Sequence, residues 1–281
     1  MSPVHDQSYR RYGGLKRTPG RGWLVILRAG ARQLIGRRVF LGLLALAWIW
    51  FLVRSVQIYL AVTTPQFAQF LPIDVKLFAN FVDAQGFVAF FVTVYAGAGL
   101  IAADRRANAL QVYLSKPLLR MEYIGGKLAI LVVFLGFTIV VPSLLLLVMQ
   151  VLLSGSLAFV RAHLDLIPAI VVASTMRVIV YAISMLALSS LSTSTRYVAV
   201  MFTGVVFFSE AVFNVLAFAT GSTRVAWVSP SRNFDVVTDA IFRQPARYDT
   251  PVIVSVLVLL GIVAVSISVL ERRVRGVEVV S

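Results

Sequence analysis

The sequence predicts an all-α membrane protein: six transmembrane helices preceded by an amphipathic interfacial helix, with both termini cytoplasmic. Three observations carry that expectation. Of the 281 residues, 59% are hydrophobic and only 14% charged; the mean hydropathy is +0.88; and six apolar stretches are each long enough to cross a bilayer. An ordinary soluble domain is nearer half apolar and a quarter charged, so this chain needs lipid as its solvent. A crossing helix takes about 20 mostly apolar residues, at 1.5 Å each, across a core of roughly 30 Å.

Residues 1–20, with Arg10, Arg11, Lys16 and Arg17 among several Gly and Pro, read as a basic cytoplasmic tail. No small-residue cleavage site follows a short apolar run, so a removable signal peptide is not expected. Residues 21–38 place Arg21, Arg28 and Arg32 within about 40° of one another on a helical wheel, with Trp23, Leu27 and Leu34 opposite, the pattern of a helix lying in the membrane interface. A cytosolic extension of the first span is the alternative. The spans follow at 39–60, 84–103, 128–153, 168–191, 198–220 and 251–270, forming one transmembrane domain over 39–270, and residues 271–281 form a second tail. With the N-terminus inside, the cytoplasmic segments hold eighteen Lys and Arg and the outer ones six, which fixes the orientation. Four of those six, Arg224, Arg232, Arg243 and Arg247, fall in a long outer loop, 221–250, accompanied by Asp235, Asp239 and Asp249.

Composition also narrows the chemistry. There is no cysteine, hence no disulfide, thiolate metal site or cysteine nucleophile. The two histidines, His5 and His163, fall in the tail and in a short outer loop, and no H-E-x-x-H occurs, so neither a metal site nor a Ser/His/Asp constellation is expected within the spans. A net charge of +14 would suggest nucleic acid in a soluble protein; here it points to anionic lipid headgroups, and no nucleic-acid partner is expected.

Between spans two and three runs GAGLIAADRRANALQVYLSKPLLRMEYIGGKLAI, helix-prone as far as Ser115 and then broken by Pro117. Leu110 and Leu114 lie one turn apart on its apolar face, suited either to headgroups or to a docking partner. Asp104-Arg105-Arg106, the Leu110/Leu114 pair, Pro117 and Arg120, then Gly126-Lys127, in that order, resemble the type-2 permeases of ATP-binding cassette exporters. Asn108-Ala109 stands where that family usually has Gly-Thr, a mild departure because Asn tolerates left-handed backbone. The amphipathic first helix, the six spans and the Trp227-Val228-Ser229-Pro230 turn extend the resemblance over nearly the whole chain.

The resemblance implies a permease with no catalytic site, assembled as two permeases, from identical or related chains, above two ATPase subunits in the bacterial cytoplasmic membrane. The segment 104–127 would be its coupling element, carried by Asp104, Arg105, Arg106, Leu110, Leu114, Pro117, Arg120 and Lys127. No G-x-x-x-x-G-K-[ST] phosphate loop occurs, so this chain is expected to bind no cofactor, ATP and magnesium belonging to the ATPase partner. Two rivals stand beside this reading: an ion-coupled secondary transporter or channel, and a membrane anchor or assembly subunit.

A charge within the bilayer costs from about 3 kcal/mol upward and usually faces the bundle interior. Arg54, Arg177 and Glu210 are the candidates. Arg177 shares a stripe with Ser174, Tyr181 and Ser184 on span four, and Glu210 stands one turn from Asn214 on span five. Counting at 1.5 Å per residue gives Arg177 and Glu210 matching depths, so the sequence predicts that they pair on the inner face of spans four and five. Arg54 is expected nearer the outer surface with Gln57 one turn on. Gly97 and Gly99 on span two allow close approach of another helix, within one subunit or across a dimer.

Overall fold

A computed structural model of the protein describes residues 21–70, 72–109 and 120–274. Among them there is no strand, and six helical segments are long and apolar enough to cross a membrane. The first helix, α1 (Gly22–Ile35), stops at Gly36 and turns through extended backbone at Arg37 before α2 (Arg38–Thr63), so it is a separate helix and not an extension of the first span. A short α3 (Pro65–Phe70) leads to α4 (Val75–Gly97) and α5 (Ala102–Arg106). After the loop come α6 (Arg120–Thr138), α7 (Val140–Ser154), the short α8 (Ala158–Ala162), α9 (Leu166–Leu191) and α10 (Thr195–Thr220). A 3-10 helix (Thr223–Val228), α11 (Pro230–Ile241) and α12 (Val252–Arg273) complete the chain. The end holding α1, α5 and the end of α12 is termed basal below, and the end holding α11 distal.

The second span begins well before residue 84. Asp74 accepts a hydrogen bond from the Leu77 amide at 2.9 Å, capping a helix whose residues Leu77, Phe78, Phe81 and Val82 are all buried. Asp83 therefore sits two turns inside the span instead of outside it. At its basal end the same span bends between α4 and α5. The freed amides of Ile101 and Ala102 donate to Ser189 Oγ of α9 at 3.0 and 3.1 Å, and that hydroxyl donates to the Ala98 carbonyl at 3.0 Å. Within lipid an interrupted helix persists only where such partners exist. The third span breaks at Ile139, three residues before Pro142. The proline thus occupies the first turn of α7, where its missing N–H is not needed.

The bundle has a core and a rim. The most apolar windows of the second, third and fourth spans are 61%, 56% and 56% buried, whereas those of the first, fifth and sixth are each 17% buried. Helix α9 is the hub, packed against α4, α6, α7, α10, α11 and α12. Close crossings rely on glycine. A Cβ on Gly97 would lie 2.3 Å from Met185 Cγ, one on Gly126 2.8 Å from Ile26 Cβ, and one on Gly30 2.2 Å from Ile130 Cδ1. Gly97 therefore serves packing within this chain, Gly99 faces Thr195, and the Gly30 and Gly126 contacts seat α1 on α6. That seam runs along Ile26, Gly30 and the buried Leu34, leaving Trp23 more than a third exposed. Replacing Gly97 by Leu should overpack the α4/α9 contact and cost about 1–3 kcal/mol. Gly42→Leu, where a Cβ meets nothing within 4 Å, should be neutral; equal losses of thermal stability in detergent would contradict the assigned packing.

Candidate functional site

Two polar clusters stand out against the apolar bundle, one at each end. The distal one is built on Arg177, in the middle of α9 and 3% exposed. Its Nη2 lies 2.5 Å from Asp83 Oδ1 and 3.7 Å from Asp235 Oδ1, and its Nη1 donates to the Val82 carbonyl at 2.6 Å. Room for the guanidinium comes from Gly86, one turn along α4, where a Cβ would lie 3.1 Å from Arg177 Nη1. The Phe234 ring lies 5.3 Å from its Cζ.

The partner carboxylate Asp235 comes from the loop after the fifth span. Ser229 caps α11 and Pro230 occupies its first turn, so this segment folds back as a helix against α4, α9, α10 and α12. One side of α11 carries Arg232, Asp235 and Asp239 at helical spacing; Phe234 and Val237 are buried among the spans. Arg232 forms an ion pair and hydrogen bond with Glu210, donates to the Tyr248 hydroxyl and lies 3.6 Å from Asp235. Ser229 Oγ donates to Glu210 Oε2 at 2.8 Å. Arg247, beyond α11, bridges Asp83 at 2.6 Å and Asp239 at 2.8 Å.

The expected pairing of Arg177 with Glu210 is therefore corrected: Arg177 hydrogen-bonds Asp83 and lies within ion-pair distance of Asp235, and Glu210 bonds Arg232 and Ser229. Both predicted partners lie in spans, whereas one true partner lies just upstream of the predicted second span and the others lie in the loop. The two residues do share a cavity of about 210 Å³ between α4, α9, α10 and α11, together with Asp83, Tyr181, Phe207 and Asp235. Tyr181 is buried there, its ring edge-on to Phe234. Asn214, expected on the inner face, is exposed on the rim of α10 because the helix turns its Phe213 side inward. Arg54 donates to Gln57 at 2.5 Å, as the spacing suggests, and lies over the Trp50 ring.

Four carboxylates meet three guanidinium groups in the distal cluster. Burial, and then the charge of Asp83, push the Asp235 carboxyl up to about 6 from its ordinary 3.8, against the opposing pull of Arg177, Arg247 and Arg232. Arg247 is held charged in spite of its own burial by the hydrogen bond to Asp239 and the charge of Asp83.

The basal cluster gathers several residues of the predicted coupling segment. Asp104 accepts from Tyr123 OH at 2.8 Å and pairs with Lys127 at 2.7 Å, tying α5 to α6. Arg105 donates to the Ser190 carbonyl at the end of α9. Arg120 donates to the Leu270 carbonyl at 3.3 Å and to that of Glu271, at the end of α12. Arg106 is exposed, and Asn108 adopts φ 51°, the left-handed conformation for which glycine is otherwise suited. Leu110, Leu114 and Pro117 lie outside the described residues.

No protein-family model matches this chain, and no curated protein matches it.

A carboxyl whose pKa is raised in the folded protein favours the fold while protonated, and that contribution is lost as pH rises through the folded value. The α11 cap should therefore loosen as pH climbs through about 6. Amide exchange over residues 230–241 in nanodiscs, corrected for intrinsic rates, should show greater protection at about pH 5 than at about pH 7.5, and Asp235→Asn should remove the difference. Equal protection of the wild type at both values would contradict the assignment.

Proposed function

We propose that the chain is the membrane-spanning permease subunit of an ATP-binding cassette exporter in a bacterial cytoplasmic membrane. It lines the substrate path with a second permease copy and takes its work from a separate ATPase that holds ATP and magnesium. The observation that carries this reading is the anchorage of the loop after the second span. Its start is tied to α6 through Asp104, Lys127 and Tyr123, and to α9 through Arg105. Its end is tied to α12 through Arg120.

A displacement of this loop is thereby delivered to four spans at once. That is the mechanical requirement for a subunit whose energy arrives from outside the membrane. The order of Asp104, Leu110, Leu114, Pro117, Arg120 and Lys127 supports the partner class, and the excess of Lys and Arg at the basal end supports a cytosolic position for it.

The distal cluster supports a second reading, an ion-coupled transporter, because its surplus carboxylate takes up a proton near pH 6. The two part in proteoliposomes. Under the first reading an ATPase co-purifies with the tagged full chain, Leu110→Asp with Leu114→Asp lowers its recovery at least about tenfold, and ATP is required for transport. Transport by this chain alone, driven by a pH gradient, would favour the second. Absence of any co-purifying ATPase, with the double substitution harmless, contradicts the first.

A further inference from the structure

A cavity of about 410 Å³ lies at the basal end beside α1, within the range of roughly 300–1,000 Å³ typical of small-ligand sites. Its apolar wall includes Leu34, Leu100 and Ile130. Arg37, from the turn between α1 and α2, and Arg106, from the end of α5, supply its charge, and Lys127, from α6, also lines it. The one carboxylate in the lining, Asp104, is already bonded to Lys127 and Tyr123. Arg37 and Arg106 are exposed, and neither has a carboxylate within ion-pair distance among the described residues. The site is thus a positively charged mouth over an apolar wall.

Its level in the bilayer decides the ligand class. Arg37 immediately precedes the first span and Arg106 is the last residue of the second; Thr195, also in the lining, begins the fifth. All three stand where a spanning helix leaves the hydrocarbon, which is the plane of the lipid headgroups. We propose that this cavity binds the phosphate headgroup of an anionic glycerophospholipid. Arg37 and Arg106 offer planar donor forks to the phosphate oxygens, Lys127 and Asp104 neutralise each other beside them, and the apolar wall takes the glycerol and upper acyl segment. The amphipathic helix α1, seated on α6 through Gly30 and Gly126, forms one side of the site. The proposal does not depend on whether an ATPase docks nearby.

The test is native mass spectrometry of the full chain in mild detergent, titrated with phosphatidylglycerol or phosphatidylcholine. The wild type should bind phosphatidylglycerol at least about tenfold more tightly. Arg37→Gln with Arg106→Gln should reduce that preference at least about fivefold, while Arg273→Gln, a basal arginine outside the cavity, should leave it intact. Ala29→Phe fills the cavity with all its charges retained, and should weaken phosphatidylglycerol binding in a chain that keeps its helical circular dichroism. No headgroup preference, or a preference that survives both the double substitution and Ala29→Phe, overturns the proposal. Binding of soluble sn-glycerol 3-phosphate as tightly as of the lipid would identify a free-phosphate site and overturn the lipid assignment.

Discussion

A guanidinium buried in the middle of a membrane-spanning helix has no water to fall back on, and the distal half of this protein is arranged around that constraint. Removing a charge from water costs several kcal/mol even after relaxation, and the cost is recovered only by well-placed counter-charges and hydrogen bonds. Arg177 sits on α9, the helix that touches nearly every other span. Asp83 and the Val82 carbonyl meet it from α4, and Asp235 from α11. Gly86 is the small residue that lets the side chain pass. The fold-back of the 221–250 loop follows from the same need. Without α11 the cluster would lose Arg232, Asp235 and Asp239, leaving Glu210 without its guanidinium and Arg177 with one carboxylate.

The basal end meets a related problem by different means. There the charges lie at the bilayer surface, where pairing is less obligatory, and the tight constraint is the broken backbone between α4 and α5. Ser189 satisfies it from α9 with one hydroxyl, accepting two hydrogen bonds and donating one. Asp104, Lys127 and Tyr123 then fix the short helix that follows. The result is two polar knots on α9, one at its basal end and one at its middle, separated by buried, mostly apolar side chains.

The helical class, the number of spans and the separate amphipathic first helix were legible because each rests on apolar length or on a 3.6-residue period, which a sequence displays directly. The resemblance places Asp104 and Lys127 in one segment without pairing them, and the left-handed conformation of Asn108 is legible only through a backbone preference. Matching depth along two spans predicts an Arg177 to Glu210 pair, but depth is silent about what a loop inserts between helices. Two signals pointed to the better answer. Asp74 preceding an apolar run marked an earlier helix start, which carries Asp83 into the membrane. Arg232, Asp235 and Asp239, spaced by three and four residues behind Ser229-Pro230, marked a capped helix with a charged face. The bend at residues 98–101 carried no proline and was masked by the strong apolar character of its surroundings.

The distal architecture turns on which carboxylates hold Arg177. A double-mutant cycle on unfolding in mild detergent, with Asp83→Asn and Arg177→Gln singly and together, isolates that interaction from the two substitutions' separate effects. The geometry predicts a coupling energy of at least about 1.4 kcal/mol for this pair and close to zero for the matching cycle with Glu210→Gln. A strong coupling between Arg177 and Glu210, with none between Arg177 and Asp83, would contradict the architecture described for the distal cluster.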